Sequence, residues 1–284
     1  MKNNKIAILI DSCTDVPKEY IEKHGMYVVP LSINYSFGQF QDGVNITAQE
    51  VYDNFSKEIP TTSLPTGETI MNEFNKIQQQ GFKEVIIVTI SSGLSGTNNT
   101  ITQIAKEFPN LDCRIIDTKN IGIGAGLTGI LAGQLVAQDL NINEIEKRLN
   151  KSVEDTKIFF CVSTLEYLQK GGRIGLVTAV MGTALGIRPI ISCNEEGVYY
   201  TVKKARGRKK VISEALELAL THGKGHKFNL AIAHGDALEE AKEIHEELKG
   251  KLPDCKEILF GQISPALVVH TGPGLIGIGI QIAD

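Results

Sequence analysis

The run EVIIVTI at 84–90, SSGLSGT at 91–97 and NNTITQIAKEF at 98–108 decides how this chain folds. Val85 to Ile90 is an unbroken β-branched run, the composition of a strand buried on both faces of a parallel sheet. Asn98 to Phe108 instead places Ile101, Ile104, Ala105 and Phe108 at helical spacing. Between them lie Ser91, Ser92, Gly93, Leu94, Ser95, Gly96 and Thr97. Hydroxyls and unobstructed backbone N–H groups are thereby set at the carboxyl end of a strand, where a helix starts, and such a turn can seat an anion. A plainer role is equally open to it, with Ser95 or Thr97 as the N-cap of the helix.

Toward the N-terminus, Lys5 to Ile10 reads as a second buried strand, Pro17 to His24 as a short helix closed by Gly25, and Met26 to Asn34 as another strand. T-A-Q-E at 47–50 is a capping box, so a helix follows Thr47 and turns Val51, Phe55 and Ile59 inward. Pro60 to Thr66 is a second hydroxyl-rich loop. It precedes a helix from Glu68 to Gln80 whose apolar face is Ile70, Met71, Phe74 and Ile77. Beyond the central run come a strand at Cys113 to Asp117 and a glycine-punctuated apolar segment from Ile121 to Ala137. This alternation predicts an α/β domain over residues 1–150 with a mainly parallel sheet and ligands at the carboxyl ends of its strands.

Residues 151–284 have another texture. A bridging helix at Asn143 to Val153 leads to a strand at Ile158 to Val162, a helical turn at Leu165 to Gln169 and a hairpin from Pro189–Cys193 and Val198–Lys203. A helix at Lys209 to Leu220, a strand at Asn229 to Ala233, a helix at Leu238 to Leu248 and a strand at Glu257 to Phe260 follow. The hairpin makes this a second α/β domain containing antiparallel strands, with the boundary near 150.

With 284 residues, 42% of them hydrophobic and 22% charged, the chain can bury a substantial core and has room for two domains. A net charge of −4 gives no general reason to expect nucleic acid or an anionic membrane surface as partner. Cys13, Cys113, Cys161, Cys193 and Cys255 are odd in number, far apart and without a C-x-x-C, which argues for reduced thiols rather than a disulfide framework or a zinc site. The opening MKNNKIAILIDSCTD has an apolar run too short for a signal-peptide core or a membrane span before Asp11, so a cytoplasmic location is expected.

Several constellations compete for chemistry. Gly93 to Thr97 approximates a nucleophile elbow with Ser95 as nucleophile and His270 as base, but the elbow needs glycine where Thr97 stands. A serine hydrolase of acyl substrates is thus the alternative from another class. Gly122, Gly124 and Gly126 lack the third glycine of a dinucleotide fingerprint, and close packing of a small-residue helix explains them better. His222 and His226 enclose Gly223 and Gly225, which deny the rigid helix that metal would need, so no metal and no catalytic residue is proposed. Three stretches, Ile121 to Ala137, Ile174 to Ile191 and Ala266 to Ile282, are rich in Gly, Ala, Ile, Leu and Val. They are either packed core or the lining of a dry, narrow slot for a hydrocarbon, whose carboxylate would meet the hydroxyls of the two loops.

TTSLPT at 61–66, SSGLSGT at 91–97, GGRIG at 171–175 and HTGPG at 270–274, in this order over nearly the whole length, resemble the DegV family. The resemblance implies two α/β domains with a long-chain fatty acid buried between them, no cofactor, and service as the acyl-binding partner of an ATP-dependent fatty acid kinase. It implies that Thr62 and Ser95, with neighbouring Ser63 and Gly96, hold the acyl carboxylate, and that His270 stands beside it; Arg173 lies in a family motif. Leu64 departs from the pattern, since many relatives carry glutamine there. The chain has no G-x-x-x-x-G-K-[ST], so a separate kinase would supply the phosphoryl chemistry. Finally, Lys203 to Lys210 holds six cations in eight residues at an expected helix N-terminus, where the macrodipole opposes them. If something outside the fold compensates them, the run is a docking patch for an acidic face of the kinase, centred on Arg206 with Lys203.

Overall fold

β-branched runs form strands and small-residue turns punctuate them, in the computed structural model as in the sequence; it describes residues 6–180 and 186–283. In chain order the first half contains β1 (Ile6–Asp11), α1 (Lys18–His24), β2 (Tyr27–Val29), β3 (Ser32–Tyr35), β4 (Gly38–Gln41), α2 (Ala48–Asn54), β5 (Thr61–Ser63), α3 (Gly67–Gln79), β6 (Glu84–Thr89), α4 (Thr97–Ala105), β7 (Asp112–Asp117), α5 (Ile123–Ala137) and α6 (Ile142–Glu154). Then come β8 (Thr156–Cys161), α7 (Glu166–Lys170), β9 (Ile187–Cys193), β10 (Tyr199–Arg206), α8 (Arg208–His222), β11 (Phe228–Gly235), α9 (Leu238–Leu248), β12 (Cys255–Gln262), α10 (Pro265–Thr271) and β13 (Leu275–Ile282). Part of the aliphatic stretch expected at Ile174 to Ile191 lies outside the described residues.

Strands β2-β1-β6-β7 form a wholly parallel sheet, in which Leu9 pairs with Ile87 and Ile87 with Ile115. The second sheet, β10-β9-β8-β13-β11-β12, is antiparallel at every pairing except β11 with β12, so the expected hairpin is the edge of a larger antiparallel array. The predicted strand from Met26 to Asn34 is two strands. Pro30 lacks the N–H a ladder needs, and on its far side β3 joins a third sheet, β4-β3-β5. The hydroxyl-rich loop after Pro60 therefore contains a strand, β5, which pairs Thr62 with Ile33.

Thr47 and Glu50 make the predicted capping box. On α3, Ile70, Phe74 and Ile77 are fully buried, about 1.5–3 kcal/mol of transfer free energy each, but Met71 is 44% exposed and lies off the packed face. The N-cap of α4 is Gly96, without a side-chain cap bond, so neither Ser95 nor Thr97 takes that role. Helix α5 touches β1 and β6 of the parallel sheet and β8, β11 and β13 of the other. Its glycines let backbones meet: a Cβ at Gly126 would lie 2.4 Å from the Thr14 carbonyl oxygen, and one at Gly124 2.5 Å from Asn120 Oδ1. The glycines at 122–126 are thus packing residues. One apolar cluster, including Ile10, Ile86, Leu127, Ile158, Ile191 and Leu275, runs through both sheets.

Candidate functional site

Thr62 is presented by β5, an element too short to be stable alone and held by its ladder to β3. Its Oγ1 lies 2.7 Å from Nε2 of His270, in the last turn of α10. Pro265 opens α10, where its missing N–H costs nothing, and Asp42 Oδ1 accepts the Ala266 N–H at 2.9 Å. Asp15 Oδ1 accepts the Ser264 N–H at 3.0 Å. His270 abuts Gly171 so closely that a Cβ there would lie 2.1 Å from Nδ1. That nitrogen is buried without a hydrogen-bond partner. Burial, followed by the Arg173 guanidinium, brings the imidazole down to about 4, so the ring is neutral at neutral pH. Arg173 donates from Nη1 to the Gly171 carbonyl at 2.8 Å and from Nε to that of Leu94 at 3.4 Å, tying the GGRIG turn to the Ser91–Thr97 loop.

Carboxylates and a hairpin position that loop. Asp11 Oδ2 accepts the Ile90 N–H at 2.7 Å, and burial pushes the Asp11 carboxyl up to about 7 despite three backbone hydrogen bonds that oppose the shift. Asp117 Oδ1 accepts the Ser92 N–H at 3.1 Å. Ser91 Oγ donates to the Gly197 carbonyl at 2.8 Å, across to the β9–β10 turn. Gly197 can take no side chain, because its φ is +76° and a Cβ would fall on Ser91 Oγ. Ser95 Oγ lies 2.8 Å from Thr97 Oγ1.

Thr62, Ser95, Arg173 and His270 line one cavity of about 40 Å³, together with Cys13, Leu94 and Tyr199. A second cavity of about 30 Å³ is aliphatic and aromatic, lined by Ile123, Ile158, Phe160, Ile263, Leu275 and Gly277 among others. Ile121, Tyr199, Leu267 and Thr271 line both, so the polar mouth and the apolar slot lie side by side with these four residues as their common wall. Gly96 stands behind the mouth, where a Cβ would touch the Leu64 side chain at 3.5 Å. Ser63 faces away: strand alternation turns it outward, and its Oγ accepts from Asn34 Nδ2 at 3.1 Å. Tyr199 and Cys13 carried no signal in the sequence as lining residues. Both come from elements whose inner face is known only once the sheets pack.

Ser95 and His270 are not a nucleophile–base pair here, since each has another partner: Thr97 for the serine, Thr62 for the histidine. Among the described residues no cluster of His, Cys, Asp and Glu could hold a metal ion, and no helix is long and apolar enough to cross a membrane. All five cysteines are free. The basic run is partly compensated from within. Lys203 and Lys210 both pair with Glu214, whose carboxyl those two bonds hold down to about 2, and Arg208 pairs with Glu240. Lys204, Arg206 and Lys209 are exposed and make no ion pair among the described residues.

The sequence profile of the DegV family, whose members are described as uncharacterised proteins, matches residues 5–283. A DegV domain-containing protein of Clostridium acetobutylicum is 39% identical over 97% of this chain and 98% of its own length. A solved structure of a DegV family protein from Thermus thermophilus, described by its fatty acid binding, superposes with a TM-score of 0.89 at 29% identity, covering 98% of this chain and 99% of that one. A stearic-acid-binding protein from Eubacterium ventriosum superposes with a TM-score of 0.87 at 30% identity over 98% of both chains. The match over nearly the whole length, on a fold that pairs a parallel sheet with a largely antiparallel one, establishes that this chain belongs to the DegV family.

Proposed function

We propose that this chain binds a long-chain fatty acid with its carboxylate at Thr62 and Ser95, and presents it in the cytoplasm to a separate ATP-dependent kinase that forms the acyl phosphate. The observation that carries this reading is the adjacency of a hydroxyl-lined mouth and an aliphatic slot that share one wall. Similar chains of known structure that bind fatty acids support it.

The hydrogen-bond chemistry is specific. If neutral His270 donates from Nε2 to Thr62 Oγ1, the threonine hydrogen is free to point at a carboxylate, and if Thr97 donates to Ser95, the serine hydrogen is free as well. Arg173 adds positive charge at the same mouth. The two cavities are narrow, so Ile121, Tyr199 and Leu267 would shift to admit a chain. Burying roughly fourteen methylenes at ~0.8 kcal/mol each is worth on the order of 11 kcal/mol before association costs. The protein's part is then positioning and exclusion of water, with no cofactor of its own and no catalytic residue. Exposed Arg206, Lys204 and Lys209 are the cations left for an acidic kinase face, while Lys203 is shared with Glu214.

Native mass spectrometry of the purified protein, followed by extraction, tests the reading: a co-purifying fatty acid is expected. A folded protein of empty mass with no affinity for added fatty acid overturns it. A fluorophosphonate probe tests the hydrolase alternative, and no labelling of Ser95 is expected.

A further inference from the structure

The two hydroxyls of the mouth come from different sheets: Ser95 follows β6 of the parallel sheet, and Thr62 lies in β5 of the three-stranded one. Two buried carboxylates tie these pieces together. Asp11, 0% exposed, accepts the Cys13 N–H with Oδ1 at 3.0 Å and the Ile90 N–H with Oδ2 at 2.7 Å. Ile90 leads into the Ser95 turn, which is closed on itself by the Ser95 N–H donating to the Ser91 carbonyl at 3.1 Å. Asp42, 2% exposed, accepts the Ala266 N–H of α10 with Oδ1 at 2.9 Å and the Ser12 hydroxyl with Oδ2 at 2.5 Å. Ser12 Oγ in turn accepts the Leu31 N–H at 3.1 Å, and the Asp42 N–H donates to the Leu31 carbonyl at 2.9 Å. Leu31 leads into β3, the strand whose Ile33 pairs with Thr62. Cys13, Leu31, Ile90 and Ala266 line the mouth, whereas Asp11, Asp42 and Ser12 stand behind it.

We infer that Asp11 and Asp42 are positioning residues which, through the turn at Ser12 and Cys13, fix the spacing of Ser95 against Thr62 and His270 and so set the preference for a carboxylate head group; this rests on the fatty-acid reading above. Two buried carboxylates without an ion pair among the described residues weaken a fold unless the groups they hold offset the desolvation. What they hold is the backbone of four lining residues, three directly and Leu31 through Ser12. A carboxylate suits position 11 because both oxygens accept from backbone N–H groups, which cannot reverse their polarity; an amide would turn its own NH2 on one of them. Two hydroxyl donors that converge on the two oxygens of one carboxylate must keep a set spacing, whereas an alcohol has a single oxygen and demands less of it.

The test is a pair of double-mutant cycles on the whole protein, read by displacement of a fluorescent fatty acid with hexadecanoic acid and with hexadecanol. Asp11→Asn should lower affinity for the acid about tenfold and for the alcohol less than about threefold. In a Ser95→Ala background the same change should cost the acid less than about twofold, because the hydroxyl it positions is gone. Ser12→Ala cuts the link from Asp42 to Leu31 and should behave in the same way against Thr62→Val; it carries the test if Asp11→Asn does not fold. If a folded variant leaves acid affinity unchanged, weakens acid and alcohol alike, or adds its full loss to that of its partner, the carboxylates serve the fold alone and the inference is wrong while the fatty-acid reading stands. A parent that binds neither the acid nor the alcohol would remove the fatty-acid reading and the inference with it.

Discussion

Thr62 and Ser95 each offer a hydroxyl whose oxygen lies within hydrogen-bond reach of a neighbour, and where that neighbour donates, the hydroxyl hydrogen is left for a carboxylate. Thr62→Val or Ser95→Ala should therefore weaken carboxylic acid binding by about 1.5–3 kcal/mol in titration calorimetry, with little change in folding. A fatty alcohol of equal length should lose less; equal losses would mean that the two residues shape the cavity without reading charge. His270 makes a second measurable quantity. Folded, it takes its proton only near pH 4, and unfolded near 6.5, so between these values the unfolded chain holds the extra proton. The stability it contributes above pH 6.5 is lost as pH falls toward 4. Urea melts across that window should show a shallower decline for His270→Gln than for the parent, and parallel declines would refute the assignment. Thr62, Ser95, His270 and Arg173 stood out as sequence motifs, but the hydrogen bond joining two of them could not be read, because its ends are 208 positions apart.

At the scale of elements, α5 is the piece that brings the two large sheets together, and its glycines are what permit it. Gly126 meets a backbone carbonyl, which cannot rotate away, whereas Gly133 meets the side chains of His24 and Met26, which can. Alanine gains about 1 kcal/mol of helix propensity at either place. Gly126→Ala should nonetheless destabilise by about 1–3 kcal/mol through overpacking, and Gly133→Ala by clearly less. Denaturant midpoints at constant m would check the order, and the reverse order would contradict the packing. Strand and helix periodicity made most elements legible. It failed at β5, where a three-residue strand with Pro60 before it and Pro65 after it looks like a loop, and at Pro30, where one apolar run serves two sheets. It also left the share of antiparallel pairing in the second sheet too small, since pairing partners are set by packing and not by composition.

One apolar cluster runs through both large sheets while two others each pack on one of them, and through that common cluster heat or urea should unfold the molecule in a single transition. Saturating fatty acid at about a hundred times its dissociation constant should add about 2.7 kcal/mol to that transition. Two separated transitions, with only one moved by ligand, would count against the shared core. On the outer surface, Arg206→Ala should weaken capture of the kinase in a salt-dependent way while the lipid stays bound; loss of lipid, or unchanged capture, would end the docking idea. The long reach between Thr62 and His270 also bears on synthesis. A ribosome that has released the entire parallel sheet, with both hydroxyl loops, has still not made the proposed head-group site, because α10 follows all of them in the chain. On the proposed function, chains that end before α10 should fail to bind lipid, and binding should require translation through residue 271.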